Sequence, residues 1–127
     1  MLLAVHILIF LLLAIAAGLQ LNDPDPVFWT ALYILSAVCP LIYAFKVKVV
    51  YRWLVYGLAS LLCVIAIVLS IAGGVEYLQH WNDVSLLHGM SPDRPYVEET
   101  RELIGTMIAF IAVIVYAILE LRRKAGN

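Results

Sequence analysis

The sequence predicts an all-α polytopic membrane protein, a single domain over residues 1–127 with four transmembrane helices and both termini in the cytoplasm. Three observations carry this expectation. Hydrophobic residues make up 65% of the chain and charged residues 13%, with a mean hydropathy of +1.00. A soluble domain averages about 45–50% apolar and roughly 25% charged. Four apolar runs each approach the ~20 residues that cross a hydrocarbon core about 30 Å thick. The eight Lys and Arg divide six to two among the polar segments between those runs. Helices fit these runs better than barrel strands, because lipid leaves backbone groups no water to bond and the runs do not alternate in polarity.

The first helix, residues 2–21, carries one polar group before Gln20, namely His6. His6 lies near the amino-terminal end and is expected to snorkel to the interface. Ala14-Ile15-Ala16 has the small-x-small form of a signal-peptide cleavage site. No basic residue precedes the run, however, and it exceeds the ~7–15 apolar residues of such peptides, so it reads as a retained anchor. The run stops at Asn22-Asp23-Pro24-Asp25-Pro26. The second helix, 27–45, is interrupted only by Thr30, Ser36 and Pro40. A basic turn, Lys46 to Arg52, leads into the third helix, 53–75. There Ala59, Cys63, Ala66, Ser70 and Gly74 form a small-residue stripe; Ala14 and Gly18 form a shorter one on the first helix. Small residues let helices approach closely in lipid. An outer loop, 76–95, precedes the fourth helix, 96–121, and Arg122, Arg123 and Lys124 follow it.

Orientation follows from charge. Lys46, Lys48, Arg52, Arg122, Arg123 and Lys124 lie at one end, and Arg94 and Arg101 at the other. The positive-inside rule places the end with six in the cytoplasm, and the expected location is a bacterial inner membrane. Eight of the nine acids lie at the opposite end, and Glu120 alone at the basic one. Aromatic residues flank both levels: Phe28, Trp29, Tyr77, Trp81 and Tyr96 outside, and Tyr43, Tyr51, Trp53, Tyr56 and Tyr116 inside, as amphipathic rings favour the interface.

Several functions are excluded. Eight basic against nine acidic residues and a pI near 6.2 do not make a nucleic-acid binder. Cys39 and Cys63 sit in apolar runs with neither a disulfide framework nor zinc spacing. There is no Ser-His-Asp set, Cys-His pair or phosphate loop, so no catalytic residue and no cofactor is expected.

The chemistry-bearing residues gather at the outer end. Asn22, Asp23 and Asp25 precede the second helix, and Glu98, Glu99, Arg101 and Glu102 open the fourth. Capping explains part of this. Asp25 is placed to cap helix two with Pro26 at its first position, and acids suit the positive end of helix four. A functional reading adds direction. Glu98, Arg101, Glu102 and Gly105 share one helical face that descends towards the bundle. Arg101 is expected to pair with Asp23 or Asp25 at its mouth. His80 and His88 are auxiliary candidates for holding a divalent cation there, with Trp29 and Tyr33 alongside.

On these residues the chain resembles the transmembrane protein 220 family, small four-helix membrane proteins of bacteria and animals. The likeness is carried by Asn22-Asp23-Pro24-Asp25 with Trp29 and Tyr33, and by Glu98-Glu99, Arg101-Glu102-Leu103 and Gly105. It implies the four-span layout and draws attention to both motifs, but supplies no catalytic role. The expected function is a non-enzymatic integral membrane protein, an accessory or assembly subunit presenting an acidic extracytoplasmic face. Its partners are the lipid bilayer and another membrane subunit or a second copy of itself. The alternative is a binding or transport protein for a cation or small polar solute at the outer polar cluster. The absence of an ionisable residue at mid-membrane weighs against transport.

The charge asymmetry makes a direct prediction. In intact cells, Ser85→Cys should react with a membrane-impermeant thiol reagent, and reaction only after permeabilisation would reverse the orientation.

Overall fold

Helices form where the apolar runs lie and continue until a breaker intervenes. In the structure, a computed structural model describing residues 2–87 and 92–126, they are α1 (Leu3–Leu19), α2 (Pro26–Ala44), α3 (Val49–Gln79) and α4 (Pro95–Ala125). A short 3-10 turn over Gln20–Asn22 ends α1. The described residues include no strand. All four helices are long and apolar enough to cross a membrane.

At about 1.5 Å per residue, α1 and α2 roughly match the ~30 Å hydrocarbon core. The 31 residues of α3 and of α4 overrun it. α3 begins at Val49, inside the basic turn, rather than at residue 53, and it reaches Gln79 rather than 75. α4 runs from Pro95 to Ala125, so the loop shrinks to residues 80–94. Hydropathy marks only the part of a helix that lipid covers. Residues 76–79 contain no Gly or Pro, and Pro95 suits a first helical position, so the backbone stays helical beyond the lipid.

The helices pair as two antiparallel hairpins, α1 with α2 and α3 with α4, and α2 packs on both α3 and α4. One core cluster, including Leu13, Ala17, Trp29, Leu32, Cys63 and Ala109, lies towards the acidic end. A second, including Cys39, Tyr56, Ala59, Val113 and Tyr116, lies towards the basic end. The stripe on α3 is spent inside the chain, since Ala59, Cys63, Ala66 and Ser70 are all buried against its neighbours. Gly18 of α1 instead faces outward with nothing beside it. Exposed apolar side chains such as Leu8, Leu12 and Ile15 of α1, and Val68 and Leu69 of α3, form the lipid-facing belt. Both cysteines are buried free thiols. Several expected interfacial aromatics turn inward: Trp29, Tyr56, Tyr96 and Tyr116 are buried, while Tyr51 and Trp81 remain outside.

At the basic end α2 stops in a Schellman turn, with Val47 N–H bonded to the Ile42 carbonyl and Lys46 N–H to the Tyr43 carbonyl. Lys46 takes φ 53°, a left-handed conformation usually left to Gly or Asn. Glu120 is 2% exposed and takes both Arg52 and Arg123 as partners, the latter at 2.7 Å through Oε2. Arg123 also donates to the Tyr43 carbonyl at 2.9 Å and lies over the Tyr43 ring. His6 does not snorkel. It is 4% exposed and hydrogen-bonded through Nδ1 to the Tyr116 hydroxyl at 2.8 Å, because Tyr43 and Tyr116 supply an aromatic pocket with a polar partner.

At the opposite end the loop folds back on the helix tips. The Tyr77 hydroxyl donates to the Val84 carbonyl at 2.9 Å, and Val84, Tyr96 and Val97 form a small core. Beneath it α3 and α4 meet at Gly73, where a Cβ would collide with the Cβ of Glu99 itself, a group that cannot rotate away. Gly73→Ala should therefore cost about 1–3 kcal/mol through forced separation of the helices, read as a lower melting temperature in detergent. Gly57→Ala is the matched control. Nothing lies within 4 Å of that site, so the melting temperature should hold or rise slightly.

Candidate functional site

Two short-range devices fix the acidic residues. Between α1 and α2, the Asp23 carboxylate accepts the backbone N–H of Asp25 at 3.0 Å, forming an Asx turn ahead of Pro26. Asp25 occupies the cap position, but its exposed side chain makes no capping bond, contrary to the sequence expectation. The turn is held two residues earlier, by Asp23, which the pattern of caps did not single out.

On α4, Glu98 and Glu102 stand one turn apart and share the face turned towards α2 and α3. Thr100, buried between them, directs its hydroxyl at the carbonyls of Tyr96 (2.6 Å) and Gly73 (3.3 Å), tying this part of α4 to α3. Ser70 on α3 donates to Glu102 Oε2 at 3.3 Å. Deeper in, Gly105 receives the Tyr33 hydroxyl where a Cβ would otherwise stand, which brings α2 up to α4. Asp23, Glu98 and Glu102 thereby converge, with one oxygen of each within 4.8 Å of the others, and all three are half-buried.

These three carboxylates separate two hollows. The larger, about 930 Å³, lies between the start of α2, the half of α3 nearer the acidic end and the start of α4. Asp25 and Glu99 stand at its rim, and its wall descends past Phe28 and Trp29 to Leu62 and Ala31. Ser70 and Leu62 are eight residues apart on α3, so the apolar wall extends about 12 Å below the acids at 1.5 Å per residue. Phe28 meets Trp29 edge-to-face, with ring centroids 5.2 Å apart. The smaller hollow, about 320 Å³, lies on the α1 side and is bounded by Gln20, Asn22, Tyr33 and Arg101 as well as the three acids.

Of the residues the sequence singled out, Asp23, Glu98 and Glu102 come together. Asp25, Glu99 and Trp29 border the larger hollow, and Asn22, Tyr33 and Arg101 the smaller. The expected pairing of Arg101 is not made. Its side chain is exposed, and among the described residues the ion pairs are those of Glu120 with Arg52 and Arg123. At 3.6 residues per turn, Arg101 stands about 60° from Glu98 and about 100° from Glu102, at the edge of their face and beside the smaller hollow, where its head stays exposed. His80 is also engaged elsewhere, stacked on Tyr96 with centroids 5.1 Å apart and bonded through Nδ1 to the Glu76 carbonyl. His88 lies outside the described residues. Ser70 was read only as a small packing residue, and the depth of the hollow beneath it has no sequence signal. The Glu120 network had one, since Glu120 is the only acid among six basic residues and stands three before Arg123.

This combination defines a class, an integral membrane protein of four spanning helices with a carboxylate-lined cleft at one end. The family model described as transmembrane family 220, helix, matches residues 12–118, and the chain belongs to that family. No curated protein and no solved structure matches the chain.

Proposed function

We propose that this protein is a non-enzymatic membrane binding protein whose acidic cleft takes a ligand with a cationic head and an apolar tail. The observation that carries this reading is the shape of the larger hollow, a mouth of three converging carboxylates above an apolar wall. Three carboxylates so close repel one another when ionised, and a cation between them turns that repulsion into attraction. A bare ion uses only the mouth. The hollow of about 930 Å³ falls in the range of small-molecule sites, and its polar groups are few and at one end, as in sites that fix a ligand's orientation. Phe28 and Trp29 add aromatic surface suited to an ammonium group. A long-chain amine or quaternary ammonium has this chemistry.

The six-to-two division of basic residues supports placing the cleft on the extracytoplasmic side, with both termini cytoplasmic, as in a bacterial inner membrane. A divalent cation alone is the second reading, favoured by the 4.8 Å convergence of three hard oxygen donors. The accessory-subunit reading draws less support, because the small-residue stripe of α3 is occupied within the chain; the Gly18 face of α1 remains for a second helix.

The test is calorimetric titration of the protein in zwitterionic nanodiscs. A twelve-carbon primary amine should bind saturably, and the alcohol of equal chain length should not. Glu98→Gln with Glu102→Gln should weaken the amine by about tenfold or more, since a hydrogen bond to a charged group contributes about 1.5–3 kcal/mol. Equal binding of amine and alcohol, or amine binding indifferent to both substitutions, would contradict the proposal. Binding of calcium or manganese without the amine would replace it with the second reading.

A further inference from the structure

The basic end carries the opposite imbalance. Among the described residues Glu120 is the one carboxylate there, and two guanidiniums share it. One positive charge of that group is left over, and both arginines remain partly exposed. Lys46 and Lys48 stand immediately before α3 on the same side of the chain reversal. α4 ends as electrostatics prefers, with Arg122, Arg123 and Lys124 in its last turn. α3 begins against that preference. It has no acid in its first turn and no side-chain cap, and three basic residues surround a helix end that is itself positive. Tyr51 is 62% exposed and Trp53 follows Arg52, which puts this turn at the level where rings and headgroups meet. From it Val50, Leu54 and Leu58 run down α3 at helical spacing, exposed and apolar.

We infer that this end holds the phosphate of an anionic phospholipid, between Arg52 and Lys48 at the start of α3, with an acyl chain along Val50, Leu54 and Leu58. A phosphate supplies what the site lacks: negative charge for the surplus guanidinium and acceptors for the opening N–H groups of α3. The adjoining apolar stripe selects the lipid over inorganic phosphate, since the free ion leaves that stripe unused. Basic pockets beside transmembrane helices recognise anionic headgroups by the same chemistry.

The experiment is native mass spectrometry of detergent-purified protein equilibrated with equal amounts of phosphatidylglycerol and phosphatidylcholine of identical chains. One phosphatidylglycerol should be retained preferentially, by about tenfold over phosphatidylcholine, and millimolar inorganic phosphate should not displace it. Arg52→Gln should abolish the preference. Because Arg52 also contacts Glu120, Lys48→Gln is the second variant; it leaves that ion pair intact and should reduce the preference several-fold. Lys124→Gln removes the same charge at the end of α4 and should leave the preference in place. Equal retention of the two lipids, or a preference that survives Arg52→Gln and Lys48→Gln, overturns the inference. Equal loss in Lys48→Gln and Lys124→Gln also overturns it, since the attraction would then be diffuse. Displacement by inorganic phosphate assigns the site to the free ion and overturns the lipid.

Discussion

The acidic end depends on how closely α4 approaches its two neighbours. Gly73 lets the backbone of α3 come up to Glu99, and Gly105 lets the Tyr33 hydroxyl of α2 reach α4. Neither approach leaves room for a Cβ. Thr100 reinforces the first by turning its hydroxyl towards the Gly73 carbonyl. With α2 and α3 both held against α4 at these heights, Asp23, Glu98 and Glu102 converge, and Ser70 reaches Glu102. Moving α2 away from α4 by the width of a methyl group would part Asp23 from Glu98 and Glu102, and moving α3 would part Ser70 from Glu102. Association between helices in lipid gains little from the hydrophobic effect, so small residues that permit close packing set such distances.

The two ends of the bundle treat charge in contrary ways. At one, three carboxylates gather, and the neighbouring Arg101, exposed at the edge of the smaller hollow, makes no ion pair with them. At the other, two arginines converge on one buried glutamate, and lysines crowd the start of α3. Charges partly withdrawn from water are costly unless compensated. A protein meant only to pack in lipid gains nothing from leaving both ends uncompensated, which is why each end reads as a place for a ligand of the opposite sign.

Much of the architecture was legible in the sequence, because lipid imposes a length and a polarity on every span. The runs around Leu8, Ile34, Val64 and Ile114 mark α1 to α4 without ambiguity. Helix ends were less legible, since hydropathy is silent about Val49–Arg52 and Glu76–Gln79, which remain helical outside the apolar zone. Within the site, the motifs identified Asp23, Glu98 and Glu102, but the spacing that grouped Arg101 with Glu102 could not fix its rotation relative to α2. Asp25 looked like the cap because it precedes Pro26, yet the turn bond belongs to Asp23. His6 was misread for a related reason: its partner Tyr116 lies 110 residues away, and no local pattern announces it.

The convergence of the three carboxylates is the claim on which the rest stands, and a double-mutant cycle tests it most directly. Asp23→Asn retains the acceptor of the Asx turn and Glu102→Gln retains the acceptor for Ser70, so each removes charge with little change of shape. Thermal unfolding would be followed in detergent with chelator and no added cation, for both single variants and the double. The account predicts coupling of at least about 0.5 kcal/mol, with the second neutralisation relieving less repulsion than it does alone. Effects that add to within about 0.3 kcal/mol would mean that Asp23 and Glu102 do not feel one another, and would contradict the account.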